Sequence, residues 1–359
     1  MVVHDIYIGD NVETLKKFYS DTIPNGIDVI YIDPPYGHVK CGAKIDVVYK
    51  NDYSRDVLLE NVKQAVSLAY EFLNPDGQLW FHCDFRNVHY FRMVLDSIFK
   101  ETNFVCSFPR KTRSAFSCNY NGINKQHDEL LLYAKDIKKI KLRGKQKDIK
   151  GYKNPDNDPN GVWKNNNCLV GYREKDHATR FFPITNPYTG KVEIPPNGRM
   201  WSFSTNTLQS HIDSGRLKFL EKHKPTQRSF IFKGYASRLR SNYELVSSLE
   251  FWDNAYLNQW GCKELKDLNL ADRFKFSKPT ALIEKILQLN YKKDITIIDF
   301  YAGSGTTGVA TINLNKKDNG TRKSILIGLN EKNIITECAI PRLKHALEGE
   351  HRQELKVHD

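Results

Sequence analysis

The sequence lacks the long apolar run that a membrane span needs, and its first residues, MVVHDIYIGDNVETL, lack the layout of a signal peptide. Its seven cysteines are scattered and never spaced CxxC, which argues against both a disulfide framework and a zinc site. We therefore expect a cytoplasmic protein with reduced thiols and no bound metal. His82 and Cys83 are adjacent on a predicted strand, but no second ligand cluster accompanies them, so a packed strand end is the favoured interpretation.

Acidic residues are too few to balance the basic ones, and the formal net charge is +12. The excess is concentrated in residues 135–153, which are mostly lysine, and in residues 221–241, where basic residues alternate with aromatic ones. A polyanionic partner suits this composition, and the aromatic side chains favour stacking on bases. The charge pattern therefore predicts a nucleic acid as partner, without distinguishing DNA from RNA.

The periodicity of apolar residues divides the chain into three zones. Residues 1–135 alternate strand-like and helix-like segments, residues 136–270 are rich in Asn, Pro and Gly with little regular period, and the alternation returns from residue 279. An α/β protein with a loop-rich insertion is the expected architecture. The predicted strands are 5–8, 27–32, 78–83, 104–108, 129–134, 295–300 and 324–329, and the predicted helices are 55–73, 279–290, 332–347 and one that starts at 306.

A glycine-rich loop follows the strand at 295–300. Residues 303–308 read GSGTTG, which is the G-x-G-x-x-G pattern between a strand and a helix, and Glu331 follows the next strand. Such a loop brings the backbone close to a ligand at a helix amino terminus, and the missing lysine after it excludes a Walker phosphate loop. The chain order argues against a nicotinamide-binding domain, because only about fifty residues follow the loop, too few to complete the sheet that such a domain needs. Residues 1–135 must therefore supply the missing strands.

A second motif, Asp33-Pro34-Pro35-Tyr36, follows the buried strand at 27–32. Each proline removes a backbone donor and fixes its own φ, so this stretch is a stiff corner at the carboxyl end of a strand. Ligands of open α/β sheets bind at that edge. The alternative interpretation of the corner alone is a rigid turn with a solvated acid and a packed tyrosine.

DPPY followed much later by DFYAGSGTT resembles the β group of S-adenosylmethionine-dependent DNA amino-methyltransferases. IYIGDNVETLKKF, HDELLLYAK and FSKPTALIEKIL resemble further motifs of that group, and ITNPYTGKVEIPPNGRMWSFS is similar to modification subunits of type III restriction systems. The resemblance implies an α/β, Rossmann-like methyltransferase fold with circularly permuted motif order and an inserted target-recognition region. The corresponding domains are a DPPY half at 1–135, the insertion at 136–270 and a cofactor half at 271–359.

The implied reaction is methyl transfer from S-adenosylmethionine to the N6 amine of adenine in double-stranded DNA, with the base flipped out of the duplex. Asp33 and the Pro34 carbonyl would accept hydrogen bonds from the amine, Pro35 would fix the direction of that carbonyl, and Tyr36 would stack on the base. An acid at the first position of the motif favours adenine N6 over cytosine N4. A homodimer and a restriction endonuclease subunit are further partners that the resemblance leaves open.

The resemblance also assigns cofactor contacts. Asp10 would meet the adenine of the cofactor and Glu331 its ribose hydroxyls, since Asn330 stands where many members have an aspartate. Tyr301 stands where the family usually has phenylalanine. The full predicted cofactor set is Asp10, Lys278, Thr280, Asp299, Tyr301, Ala302, Gly303, Ser304, Gly305, Thr306, Thr307, Asn330 and Glu331.

Recognition of DNA is expected in the insertion, with phosphate contacts from Lys138, Lys139, Lys141 and Arg143. Three alternatives stay open at this point: a DNA cytosine-N4 methyltransferase, an RNA base methyltransferase, and a catalytically silent DNA-binding protein on the same scaffold.

Overall fold

The computed structural model describes residues 1–20, 26–35, 55–115 and 123–359. Tyr36 of the DPPY motif lies outside these residues. The chain forms two compact units, one made of residues 1–144 with 245–359 and the other of residues 145–244. Within the described ranges, no helix combines the length and the apolar character that crossing a membrane requires.

The secondary structure is listed here in chain order. The strands are β1 (Val2–Ile8), β2 (Ile27–Ile32), β3 (Leu73–Asp84), β4 (Phe104–Lys111), β5 (His127–Ala134), β6 (Trp163–Asn165), β7 (Leu169–Gly171), β8 (Ile184–Thr185), β9 (Val192–Glu193), β10 (Arg199–Trp201), β11 (Leu217–Phe219), β12 (Phe230–Tyr235), β13 (Thr296–Asp299), β14 (Lys323–Gly328) and β15 (Gln353–His358). The α-helices are α1 (Asn11–Ser20), α2 (Arg55–Phe72), α3 (Val88–Phe99), α4 (His177–Arg180), α5 (Thr205–Asp213), α6 (Asn258–Asp267), α7 (Thr280–Gln288), α8 (Thr306–Asp318) and α9 (Ile340–Leu347).

The first unit is built on one eight-stranded sheet with the strand order β15-β1-β14-β13-β2-β3-β5-β4. The six strands from β15 to β3 run parallel, and β5 is antiparallel to both of its neighbours. β13 pairs directly with β2, with Ile297 opposite Val29 and Ile298 opposite Ile30. The amino-terminal segments therefore complete the sheet of the glycine loop, and the prediction of a Rossmann-like fold with permuted order is confirmed.

Both faces of the sheet are covered, which explains the mostly apolar sequence of β2, all of whose residues are buried. On one face, α2 contributes Leu58, Val62 and Ala65 to the core. On the other face, the core includes the α7 residues Leu282 and Ile286. Fully burying one such leucine or isoleucine side chain contributes roughly 1.5–3 kcal/mol. The predicted helical period of residues 55–73 is confirmed from Arg55 to Phe72.

Two local features differ from the sequence-based expectation. The sequence predicts a helix at 55–73 and a strand only from residue 78, but β3 already begins at Leu73, and the register slips between Ile27–Leu73 and Val29–Gln78. Residues 74–77 form a bulge, which Asn74 ties to β2 by donating to Asp28 Oδ1 at 3.1 Å. The second feature is β15, which is absent from the predicted strands and pairs in parallel with β1. Its charged residues are typical of an edge strand and conceal the strand pattern.

The second unit is built from short strands in three small sheets, β10-β7, β11-β12-β6 and β8-β9. Its core is mostly aromatic and includes Trp201, Phe203, Phe230 and Phe232. This unit lies within the predicted recognition region, whose limits of 136 and 270 were wider. The flanking residues 136–144 and 245–270 belong to the first unit, with which they form hydrogen bonds. Arg143 N, for example, donates to Leu289 O at 2.8 Å.

Candidate active site

The two predicted motifs meet at one edge of the sheet. β2 and β13 are parallel neighbours. The corner after Ile32 and the glycine loop after Asp299 therefore both begin at the carboxyl end of a strand, on the same side of the sheet. A pocket lies between them in the first unit, and it is lined by Gly9, Asp10, Asn11, Pro35, Leu58, Asn61, Phe300, Tyr301, Ala302, Gly303, Gly328, Leu329, Glu331 and Ile334. The structure therefore brings the amino-terminal acid, the DPPY corner and the glycine loop together around one cavity.

Six of the predicted site residues line this pocket: Asp10, Pro35, Tyr301, Ala302, Gly303 and Glu331. Sequence reasoning missed the remaining lining residues. Asn61 carried a usable signal, because it is a polar residue beside the apolar face of α2, and its Oδ1 accepts a hydrogen bond from the Tyr301 hydroxyl at 3.0 Å. Leu58 and Ile334 gave no signal, since apolar side chains in a pocket and in a core look alike in a sequence.

The two candidate ribose-binding residues after β14, Asn330 and Glu331, have different environments. Asn330 Oδ1 accepts the backbone N–H groups of Ile335 at 3.0 Å and Thr336 at 3.1 Å, so this side chain caps the following helical turn. Glu331 lines the pocket, and its Oε2 is buried with no hydrogen-bond partner among the described residues. A buried carboxylate oxygen of this kind needs a donor, and the hydroxyl groups of a ribose would supply it. The pocket thus fits a nucleoside at this end.

Asp10 lies at the start of α1, where its Oδ1 accepts the backbone N–H of Glu13 at 3.0 Å. This is a helix cap, which fixes the carboxylate beside the pocket. The glycines of the loop provide close approach of the backbone, since Gly303 and Gly305 have φ values of 50° and 73°. A Cβ atom on Gly305 would lie 3.2 Å from the Cβ of Ala339, so this position is also closely packed.

The hydroxyl residues of the loop point into the protein, and Arg342 holds two of them. This arginine of α9 is buried, and its Nη1 donates to Ser304 Oγ at 3.1 Å and to Thr306 Oγ1 at 2.9 Å. Its Nη2 forms a 2.5 Å ion pair with Glu264 Oε2 and donates to Thr280 Oγ1 at 3.1 Å. Ser304, Thr306 and Thr280 therefore support the loop from behind and do not line the pocket.

Asp299 and Thr307 form a second buried support. Thr307 Oγ1 donates to Asp299 Oδ2 at 2.5 Å, and the Tyr301 backbone N–H donates to Asp299 Oδ1 at 3.0 Å. Burial raises the pKa of Asp299 to about 7, although these two hydrogen bonds oppose the shift and the charge of Asp33 adds to it. The carboxyl group thus fixes the path of the chain from β13 into the loop, and like Gly305 and Thr307 it does not line the pocket.

Asp33 is the acid of the DPPY corner, and side chains from two other segments, Lys278 and His82, lie against it. Lys278, which the sequence predicts at the cofactor, donates through its Nζ to Asp33 Oδ2. His82, at the end of β3, has its Nδ1 3.6 Å from Asp33 Oδ1. His82 Nε2 lies 3.4 Å from Asp128 Oδ2 of β5. The predicted packed strand end at His82 is therefore also part of the polar surroundings of Asp33.

The four residues predicted to contact phosphates lie away from the pocket, at the amino ends of the parallel strands. β5 is antiparallel to β3, so Lys138, Lys139, Lys141 and Arg143 follow the end of β5 that lies beside the amino ends of β3 and β13. Lys141 Nζ lies 5.8 Å from the ring centre of Tyr291, and Arg143 N bonds to Leu289 O. They belong to the first unit, and the structure does not bring them together with Asp33.

Other basic residues lie at the same edge as Asp33. Arg113 Nε donates to the Lys125 carbonyl at 2.7 Å, and Lys125 Nζ lies 4.9 Å from the ring centre of Phe85, which directly follows β3. The sequence analysis did not single out Arg113 and Lys125, because Lys125 is isolated and Arg113 belongs to a stretch of only four residues, RKTR, outside the two long basic segments.

Residues 27–337 match the model of the DNA methylase family N6_N4_Mtase. The chain belongs to this family. It is 27% identical to the Mod subunit of the type III restriction-modification enzyme StyLTI from Salmonella typhimurium, covering 91% of this chain and 53% of that protein. It is 28% identical to the type II methyltransferase M.KpnI from Klebsiella pneumoniae, covering 90% of this chain and 80% of that protein. The predicted resemblance to the family and to type III modification subunits is confirmed.

This DNA methylase-family chain spans about half the length of the type III subunits it matches, 53% for StyLTI and 57% for the EcoPI Mod subunit of Escherichia phage P1. Among solved structures it is similar to the M1.HpyAVI–SAM complex, with 17% identity, a TM-score of 0.42 and coverage of 95% of this chain and 98% of that chain. It is also similar to the PvuII DNA methyltransferase (cytosine-N4-specific), with 13% identity, a TM-score of 0.43 and coverage of 100% and 95%.

Proposed function

We propose that this chain is a site-specific DNA methyltransferase that transfers a methyl group from S-adenosylmethionine to the N6 amine of adenine in double-stranded DNA. The observation that carries the proposal is the meeting of the DPPY corner and the glycine loop at one pocket, where Pro35 and Gly303 are both lining residues. Membership of the DNA methylase family supports the choice of substrate. The acid at the start of the corner supports adenine.

The cofactor residues fall into two groups. Glu331 holds the ribose hydroxyls, Asp10 lies at the adenine end, and Ala302 and Gly303 present backbone to the cofactor. When bound, S-adenosylmethionine supplies a methyl group that is activated by its attachment to a sulfonium sulfur. Arg342 and Asp299 act from behind by fixing the path of the loop.

The target amine is a poor nucleophile because its lone pair is delocalised into the purine ring. Asp33 and the Pro34 carbonyl accept hydrogen bonds from the two amine hydrogens, which directs the lone pair toward the methyl donor. Pro35 fixes the direction of the carbonyl, because a residue before proline is confined to extended geometry. The enzyme supplies mainly orientation, an effect that can lower a barrier by several kcal/mol. Tyr36 stacks on the flipped base in this proposal.

Double-stranded DNA is the proposed partner. At the active-site edge, Arg113 and Lys125 are placed to contact phosphates near the target base, and the basic residues from Lys138 to Arg143 are placed to contact phosphates only at a distance from it. The unit formed by residues 145–244 is proposed to recognise the sequence of the site. Because the similar Mod subunits are named as parts of restriction-modification enzymes, an endonuclease subunit and a second copy of this chain are proposed as further partners.

The test is Asp33→Ala, measured by single-turnover transfer of labelled methyl groups to DNA. We expect transfer to be lost while the Kd for S-adenosylmethionine, measured by calorimetry, stays within about twofold of wild type, a difference below 0.5 kcal/mol. Asp294→Ala, an exposed acid before β13, is the matched control and should transfer normally. Transfer at the wild-type rate by Asp33→Ala would refute the assignment.

A further inference from the structure

Behind Asp33 lies a chain of titratable side chains that the reaction described above does not use. His82 is fully buried, between Asp33 on its Nδ1 side at 3.6 Å and Asp128 on its Nε2 side at 3.4 Å. The Tyr31 hydroxyl lies 3.3 Å from the same Nδ1. Arg110, also fully buried, has its Nη1 3.5 Å from Asp128 Oδ2 and donates through Nη2 to the Tyr256 carbonyl.

The surroundings of His82 place a carboxylate beside each of its ring nitrogens. A neutral imidazole has one N–H group, yet a carboxylate faces each nitrogen of His82. Asp128, which is paired with Arg110 and lies 3.4 Å from Nε2, favours the proton on that nitrogen. Nδ1 then carries a lone pair, to which the Tyr31 hydroxyl can donate at 3.3 Å. Asp33 Oδ1, on the same side at 3.6 Å, can bond to Nδ1 only when a proton lies between them.

The methyl transfer releases one proton at this point. As the bond between the methyl carbon and the amine nitrogen forms, the bond from that carbon to sulfur breaks and its electron pair stays on sulfur. The nitrogen then carries a positive charge and must lose a proton. Asp33 is the carboxylate that faces the amine, so it receives this proton first, and it faces His82 on its other side.

We propose that His82 is a positioning residue for Asp33 that also takes up the proton released by the target amine, forming an imidazolium between Asp33 and Asp128. The inference rests on the proposed methyl transfer. Passing the proton to Nδ1 leaves Asp33 ionised again, so the carboxylate is restored before the next amine enters. The 3.6 Å separation lies outside hydrogen-bond range and shortens once Asp33 is protonated.

The charges around His82 set the direction of its titration. The groups that face it are Tyr31 from β2, Asp33 from the corner, Asp128 from β5, Lys278 from the segment before α7 and, through Asp128, Arg110 from β4. Burial lowers the pKa of His82, and the charge of Lys278 adds to this, whereas Asp33 and Asp128 oppose it. A neutral imidazole is therefore the starting state at pH 7, as a proton acceptor must be.

The first experiment follows the imidazole nitrogens of His82 by NMR as a function of pH, which requires no activity. We expect Asp33→Asn and Asp128→Asn each to lower the pKa of His82, because each removes a negative charge that favours the imidazolium. His89→Gln, an exposed histidine of α3, is the control and should leave the His82 titration unchanged. A His82 pKa that is unaffected by both substitutions would overturn the proposal.

The second experiment measures the pH dependence of single-turnover methyl transfer. Wild-type transfer should slow as the pH falls through the pKa found by NMR, because an imidazolium cannot accept the proton. His82→Gln should reduce the rate roughly a hundredfold at pH 7.5 and lose that acid limb, with an unchanged Kd for S-adenosylmethionine.

Asp128→Asn provides a second route if His82→Gln fails to fold, and it should move the acid limb to lower pH. A purely structural role would slow both variants without moving the limb, and that outcome, like a wild-type profile, contradicts the proposal. If wild-type protein transfers no methyl group to DNA, the proposed function fails, and the NMR titration still tests the coupling of His82 to Asp33.

Discussion

Replacing Arg342 by methionine tests whether the glycine loop depends on a buried charge pair. Methionine retains most of the aliphatic stem but removes the guanidinium, which forms six hydrogen bonds to Ser277, Ser304, Thr306, Glu264 and Thr280. Removing one partner of a buried ion pair costs about 3–5 kcal/mol, because the other charge is left without its partner.

The lower end of that range applies here. Glu264 is one-third exposed, and it keeps hydrogen bonds from the backbone N–H of Thr280 at 3.0 Å and from the Thr280 hydroxyl at 2.5 Å. We therefore expect Arg342→Met to lower the free energy of unfolding by about 3 kcal/mol. Because Arg342 also donates to the Ser304 carbonyl at 3.3 Å, the loop should loosen and the Kd for S-adenosylmethionine should rise at least tenfold, or about 1.4 kcal/mol.

Urea unfolding and calorimetry at pH 7 measure the two effects. The matched control is Lys344→Met, which removes an exposed cation from the same helix and should change neither quantity. The double variant Arg342→Met/Glu264→Gln should recover part of the lost stability, since the glutamate is no longer a charge without its partner. An unfolding midpoint and a Kd equal to wild type for Arg342→Met would refute the reasoning.

Three further predictions concern other parts of the same unit. Glu331→Gln should raise the Kd for S-adenosylmethionine by about tenfold by calorimetry, because a charged acceptor for the ribose hydroxyls becomes a neutral one; an unchanged Kd would contradict the role of Glu331. The pKa of Asp299 is raised from 3.8 in the unfolded chain to about 7 in the folded protein, so the folded protein binds the proton of this carboxyl more tightly. The resulting contribution to the free energy of unfolding is present below pH 4 and is lost as the pH rises through 7. Asp299→Asn should therefore remove a fall of roughly 3 kcal/mol between pH 4 and pH 7, measured by urea unfolding of both proteins, and parallel pH curves for the two would contradict this. Arg113→Glu and Lys125→Glu should each slow methyl transfer more than Lys138→Glu does, and the reverse order in single-turnover assays would favour the opposite edge of the sheet as the DNA surface.

The parts of the fold that the sequence predicted are those encoded by local patterns. β2 and β13 are largely buried and therefore read as short, mostly apolar segments, and the corner after β2 is marked by two prolines. The pairing of distant strands was predicted from chain order. Too few residues follow the glycine loop near residue 303 to complete its sheet, so the remaining strands had to come from residues 1–135. β15 could not be predicted, since a charged edge strand has no distinct period.

The supporting residues of the site could not be predicted, because they converge from distant segments. Arg342 and Ser304 are separated by 38 residues, and Asp33 and Lys278 by 245. An arginine on an amphipathic helix and a histidine in an apolar strand resemble ordinary surface and core residues in the sequence. The choice of Glu331 over Asn330 for the ribose hydroxyls stays a prediction; in the structure the asparagine caps a helical turn and the glutamate faces the pocket.

The most direct test of the proposed function incubates the purified protein with unmethylated plasmid DNA and labelled S-adenosylmethionine, and then sequences the product for modified bases. The proposed function predicts N6-methyladenine at one recurring sequence, with no label transferred by Asp33→Ala. N4-methylcytosine would contradict the choice of base, and absence of transfer to DNA by a protein that binds S-adenosylmethionine would contradict the proposed activity.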